Sequence, residues 1–166
     1  AAALFVGTAL AQDDPRADPL DPLRQEMETQ DKLVSDGKAE AAVTAAREQA
    51  KEGTPEAWYL LGRALGNAAI AKNSGKPSED AMRLLDEARE CFEKSKESGG
   101  LIYAPAHLGL GRVARFRGDL DTSISELRQA LRISKNFKAA AIELAQTLWE
   151  KRLPSDAEYV LHQFLA

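Results

Sequence analysis

Three side chains have the types that a catalytic or metal site needs: Cys91, His107 and His162. A nucleophilic cysteine requires a nearby histidine and an electropositive setting that favours its thiolate. His107 follows Cys91 on the next predicted helix and could approach it across two stacked helices. The other interpretation is a small buried cysteine, which is the more common role. The two histidines lack a third ligand at metal-site spacing, so we expect neither a catalytic residue nor a metal.

The sequence contains none of three common catalytic or nucleotide-binding motifs: the phosphate-binding loop G-x-x-x-x-G-K-[ST], the dinucleotide-binding motif G-x-G-x-x-G and the nucleophile elbow G-x-S-x-G. The glycines of Gly109-Leu110-Gly111 fall inside a helical pattern, where glycine permits close packing. The acidic pair Asp86-Glu87 falls on a solvated helix face. Four Asp between residues 12 and 22 lack the regular spacing and the glycine of a calcium loop. We therefore expect no cofactor.

Composition indicates one domain or a short run of repeats. The chain has 166 residues, of which 44% are hydrophobic and 29% charged, enough apolar content to bury a core. The net charge is −4, so the chain lacks the overall positive charge that is typical of nucleic-acid-binding domains. A single Cys excludes a disulfide within the chain. No run of eighteen apolar residues occurs, so we expect no transmembrane span.

The first residues have the pattern of an export signal. Residues 1–11 carry no charge and end in Ala9-Leu10-Ala11, which fits the apolar core and cleavage site of a secretory signal peptide. The alternative is a short buried helix, which Gly7 and Thr8 disfavour. Because the chain does not open with Met, we expect a processed or partial product, exported to the periplasm or outside a bacterium. Residues 12–22, with three Pro and four Asp, predict an exposed linker.

From Leu23 onward the hydrophobic periodicity is helical throughout. Thr54, Ser78 and Asp119 are candidate N-caps, and Ser155 with Glu158 resembles a capping box. Short loops between the helices predict antiparallel neighbours. The predicted helices span residues 22–35, 38–52, 55–72, 79–97, 104–117, 120–133 and 138–151, with an eighth beginning near Ser155.

A constant repeat runs through the second half of the chain. The separation between Leu110 and Leu144 is the same as that between Leu127 and Leu161. We call this separation the repeat period. A fixed period predicts helix pairs that stack on one another in a constant way.

Two motifs in this pattern are typical of one family. Trp58-x-x-Leu61-Gly62 resembles the first helix of a tetratricopeptide repeat (TPR), and Ala88 with Phe92 resembles the second. The resemblance implies an all-α fold, a superhelical solenoid of antiparallel helix pairs. It implies a degenerate pair at residues 23–54 and repeats at 55–103, 104–137 and 138–166.

The chain departs from the repeat pattern in two places. The first full repeat is longer than the next, which predicts about two turns of added helix on each side of a turn at residues 73–77. This hairpin is either a contact surface or a harmless extension. The sequence ends on apolar Phe164-Leu165-Ala166, whereas repeat arrays need a polar cap. We expect either that the natural chain continues or that a partner covers this end. One such partner is a second copy of the chain that stacks on the same end.

The resemblance also implies a peptide-binding groove lined by the first helix of each pair. An alternative is a solvated face beside core aromatics. Arginines on this stripe favour an acidic or C-terminal carboxylate ligand. The implied groove residues are Tyr59, Arg63, Asn67, Leu108, Arg112, Arg115, Phe116, Ile142, Gln146 and Trp149.

The sequence thus predicts a non-catalytic scaffold that binds a protein or peptide segment in the bacterial cell envelope. An alternative is an accessory, partner-recruiting domain of a larger enzyme or receptor. An enzyme built on Cys91 and His107 is the third and weakest hypothesis, because no titratable constellation meets the requirements of an active site.

Overall fold

The structure is a computed structural model that describes residues 17–72, 78–100 and 103–165. Within these ranges the chain forms α-helices and one 3-10 turn and no strand, which confirms the predicted all-α class. The predicted signal segment at residues 1–11 and the predicted turn at 73–77 lie outside the described residues. The elements are a 3-10 turn at Asp21–Leu23, α1 at Arg24–Ser35, α2 at Ala39–Ala50, α3 at Pro55–Ala71, α4 at Glu79–Gly99, α5 at Ala104–Phe116, α6 at Leu120–Ile133, α7 at Lys138–Glu150 and α8 at Pro154–Leu165.

Polar caps determine where three of these helices begin. The side chains of Thr54, Ser78 and Asp119 each accept a hydrogen bond from the backbone N–H three residues on, at 3.1–3.2 Å. They satisfy donors that the first helical turn leaves unpaired, as predicted. The prediction that α8 begins after a cap at Ser155 was wrong. Pro154 is already helical, and the Ala157 amide donates to the Leu153 carbonyl at 3.1 Å, so Ser155 lies inside the first turn.

The ends of α5 and α7 have the same backbone geometry although their residues differ. Gly118 follows α5 with φ of +81°, and Arg152, one repeat period later, follows α7 with φ of +63°. In both places the next residue donates back across the turn at 2.9 Å, from Asp119 to Ala114 and from Leu153 to Leu148. Arg152 is the one described non-glycine residue with positive φ. The same left-handed turn therefore forms at both helix ends, even where glycine is missing.

Helices pack in sequence order and also in alternation. Each of α1 to α7 contacts the next helix along the chain. The odd-numbered helices also contact one another in series, α1 with α3, α3 with α5, and α5 with α7. This arrangement is a sequential stack of helix pairs with one row formed by the odd-numbered helices.

The Phe92 side chain of α4 packs in the core against both α3 and α5. Its ring fills the space that a Cβ would need at Gly62 on α3 and at Gly109 on α5. Glycine at these two positions lets α3 and α5 approach the ring closely. Small buried polar residues close other helix contacts: the Ser95 hydroxyl donates to the Pro55 carbonyl at 2.7 Å.

The core extends further toward the N-terminus than the sequence suggests. Residues 12–22 were predicted to be an exposed linker, yet Leu20 is only 8% exposed and belongs to the hydrophobic core. The Asp18 carboxylate accepts a hydrogen bond from the Leu20 amide at 2.9 Å. This local turn directs Leu20 inward despite the flanking prolines.

α3 and α4, the helices of the predicted first full repeat, are longer than those that follow. α3 has 17 residues and α4 has 21, whereas α5 to α8 have 12 to 14. The extra length lies toward the connection between α3 and α4.

Candidate binding surface

The side chains with catalytic potential are held in unreactive settings. Cys91 on α4 is buried, and burial, reinforced by nearby Glu87, raises the pKa of its thiol to about 11. At neutral pH the thiol is therefore protonated, and the protonated form is a poor nucleophile. Its sequence partner His107 on α5 is engaged elsewhere.

His107 pairs with a carboxylate of the following helix. Its Nδ1 lies 2.7 Å from the Glu126 Oε2 on α6, and both side chains are largely buried. This hydrogen bond is the main cause that lowers the pKa of Glu126. The pair ties α5 to α6. Within the described ranges, no three His, Cys, Asp or Glu residues gather as a metal site would require.

Two of the predicted groove residues are core residues. Tyr59 and Leu108 are 2% and 1% exposed. The Tyr59 ring lies against Phe92 with 5.7 Å between ring centroids, and burial raises the pKa of its hydroxyl. Their side chains pack inside the stack, because α5 lies beside α3 and α7 lies beside α5. Both side chains are therefore buried and not exposed on an open surface.

Arg63 on α3 is also buried, and its charge is paired within the chain. Its guanidinium donates two hydrogen bonds to the Asp31 carboxylate on α1, at 2.7 and 2.8 Å. A third goes to the Gln30 side-chain oxygen at 3.1 Å, and Gln30 in turn donates to the Leu60 carbonyl. This network binds α3 to α1.

The other two predicted arginines link α5 to α7. Arg112 Nε lies 2.8 Å and Arg115 Nη2 3.0 Å from the Glu143 carboxylate, and Arg115 Nη1 lies 2.7 Å from Glu150. The Arg115 guanidinium also lies over the Phe116 ring at 4.8 Å. An acidic ligand at these arginines would have to compete with carboxylates that the fold already holds in place. The expected free basic patch is therefore neutralised.

An open cleft lies between α3 and α5. We call this the α3–α5 cleft; its cavity volume is about 20 Å³. Gly66, Asn67 and Ile70 line it from α3, and Arg112 and Phe116 line it from α5. Tyr59 and Arg63 lie at its inner wall, so the structure brings five of the ten predicted residues together here.

Gly66 and Ile70 were not among the predicted site residues. A Cβ at Gly66 would meet nothing within 4 Å, in contrast to the glycines beside Phe92. Gly66 occupies the repeat position held by Arg115 and Trp149 in the next two repeats, counted from Leu61, Leu110 and Leu144. This loss of a large side chain in one repeat is the signal that could have identified the cleft.

The remaining predicted residues lie on the last odd-numbered helix. Ile142, Gln146 and Trp149 are all exposed on α7. Trp149 is 65% exposed and Ile142 is 42% exposed. The structure thus divides the predicted groove into buried residues, the α3–α5 cleft, and this separate stripe on α7.

A second groove, with a cavity volume of about 180 Å³, lies between α1 and α2. Thr29 and Gln30 line it from α1, and Ala42, Ala45 and Ala46 from α2. It carries no cluster of charged side chains that would orient a ligand.

No protein-family model matches the chain, and no curated protein matches it significantly. In the described ranges there is also no helix with the length and apolar character needed to cross a membrane.

Proposed function

We propose that the chain is a non-catalytic interaction scaffold, a TPR-like superhelix that holds a segment of another protein against its odd-numbered helices. The α3–α5 cleft is the observation that carries this proposal. Serial contact of the odd-numbered helices and the constant repeat period support the superhelix. Residues 1–11 support export to a bacterial envelope.

Gly66 distinguishes the cleft from incidental surface roughness. A glycine inside a helix costs about 1 kcal/mol relative to alanine. At Gly62 and Gly109 close packing against Phe92 explains the glycine, but no neighbour requires it at Gly66. The open space beside Gly66 leaves room there for contact with a side chain of a bound segment.

The lining indicates the chemistry of the guest. Ile70 and Phe116 offer apolar contact, and the half-exposed Asn67 amide can hydrogen-bond the main chain of an extended peptide. Arg112 at the cleft is already paired with Glu143. We therefore propose an apolar side chain on a peptide segment as the occupant, in preference to the acidic ligand that the three arginines suggest.

A displayed library of random dodecapeptides, selected on the full chain, tests the proposal. Bound peptides are then measured by fluorescence polarisation against the wild type and against Gly66→Leu, which fills the cleft. We expect selected peptides to be enriched in apolar residues and to lose at least about tenfold in affinity, the usual cost of blocking a central contact.

The matched control is Ala41→Leu, which adds a similar side chain to an exposed position on α2. It should leave peptide affinity unchanged. Selected peptides that bind Gly66→Leu as tightly as the wild type would exclude the cleft as the binding site.

A further inference from the structure

Exposed large hydrophobic side chains concentrate at one end of the stack. Six large hydrophobic side chains are exposed among the described residues, and only one of them, Ile70, lies outside the region from α7 to α8. The other five are Ile142, Trp149, Leu153, Tyr159 and Leu161, and we call the exposed surface of α7, α8 and the turn between them the end face.

The equivalent positions one repeat period earlier show how the corresponding surface is covered within the chain. Ile142 lies one repeat period after Leu108, which is buried, and α5, the helix that carries Leu108, has α7 packed against it. Trp149 lies one repeat period after Arg115, whose guanidinium reaches forward to Glu143 and Glu150 on α7. Both positions therefore face the following odd-numbered helix. On α7 they are exposed and apolar, so the end face continues the stacking surface used within the chain.

The opposite end of the stack has a different character. On α1 and α2 the exposed residues are polar, charged or alanine, and no large hydrophobic side chain before Ile70 is exposed among those described. An apolar end does not match a polar end. Head-to-tail stacking would bury the end face against charges, whereas pairing two end faces buries apolar surface on both sides.

Charges near the end face do not oppose such pairing. Glu150 is paired with Arg115, and Lys151 is paired with Asp121. Both signs also occur among the exposed residues of α8 and the turn before it. The rim therefore carries no uniform charge that would repel a second copy.

We propose that the end face binds the end face of a second copy of this chain and forms a closed, two-fold dimer. The partner surface is the end face of the second copy. Among the described parts of the chain, only this surface is both apolar and equivalent to one that packs against a following helix. Trp149 is the most exposed of its members, at 65%. This inference does not depend on peptide binding in the α3–α5 cleft.

Sedimentation velocity of the full chain, from about 1 to 200 µM, tests the proposal over the range of weak protein association. We expect the sedimenting mass to rise with concentration to twice the 18.1 kDa of the chain and no further. Tryptophan emission should shift to shorter wavelength over the same range as Trp149 leaves water.

Trp149→Asp and Ile142→Asp should each raise the dimer dissociation constant at least about 30-fold, as expected for a buried central contact. Both positions are exposed in the single chain, and circular dichroism checks that the variants remain folded. Ile70→Asp is the control, because it removes an equally exposed apolar residue from the α3–α5 cleft and should leave dimerisation unchanged.

A chain that stays monomeric throughout the concentration range would overturn the proposal and leave the end face to another occupant, such as a helix of a different protein. A series of ever larger species would indicate head-to-tail stacking and would equally overturn it. A dimer that Trp149→Asp leaves intact would place the interface elsewhere.

Discussion

Substitution by alanine should change the free energy of unfolding in opposite directions at Gly109 and Gly66, because only Gly109 lies against the Phe92 ring. Both glycines lie inside helices, where replacement by alanine ordinarily stabilises by about 1 kcal/mol. At Gly66 the new methyl group would meet nothing within 4 Å, so that gain should appear in full. At Gly109 it would lie 2.3 Å from two ring carbons of Phe92.

The cost at Gly109 follows from how the ring is held. Carbon atoms in contact normally lie about 3.5–4.0 Å apart, so the ring or α5 must move by more than about 1 Å. Because Gly62 on α3 also lies close against the ring, the movement also disturbs α3. Overpacking of this kind costs about 1–3 kcal/mol, and the clamped ring favours the upper end. After the helix-propensity gain, Gly109→Ala should destabilise by about 2 kcal/mol.

Urea unfolding followed by circular dichroism measures the free energy of unfolding of both variants. Thermal midpoints should fall by about 4–8 °C for Gly109→Ala and rise by about 2–4 °C for Gly66→Ala. Phe92→Leu combined with Gly109→Ala should cost less than the two single changes added together, because the smaller side chain relieves the clash. If Gly109→Ala is as stable as the wild type, Phe92 is not wedged between α3 and α5, and the geometry that opens the cleft is misjudged.

Three further predictions concern other parts of the chain. Arg152→Gly should stabilise by about 1 kcal/mol in urea unfolding, because a side chain with positive φ is strained; an unchanged or lower stability would contradict the left-handed turn. The His107 hydrogen bond lowers the pKa of Glu126 in the folded state, so its stabilisation is present above pH 4.5 and is lost as the pH falls through the lowered value. The stability difference between wild type and Glu126→Gln should therefore be larger at pH 7 than at pH 3, and an equal difference at both would contradict the pairing. Cys91 in the folded chain should react with a thiol reagent at pH 7.5 far more slowly than in urea, since burial keeps the thiol protonated; equal rates would show it to be accessible.

The positions of the helices and the starts of three of them were readable from the sequence, because these features depend on neighbours within one turn. Thr54, Ser78 and Asp119 cap helices through bonds to residues three positions on. The turn after α7 forms at Arg152 as it does at Gly118, since the same local geometry recurs with the repeat period. Leu20 is the exception, because its burial depends on a core assembled from later helices.

The character of the binding surface was decided by tertiary structure. Helical spacing places Arg63, Arg112 and Arg115 on one stripe, but their carboxylate partners lie on other helices, far away in the sequence. Periodicity reports which residues share a face, not which carboxylate a neighbouring helix brings to it.

Leu108 and Ile142 show the same limit most directly. They occupy equivalent positions in successive repeats, and one is buried while the other is exposed. Residue spacing placed both on the stripe that was expected to line an open groove. Burial is a property of what packs on a side chain, and only the folded stack shows that α7 covers the face of α5 and that no described helix covers the same face of α7.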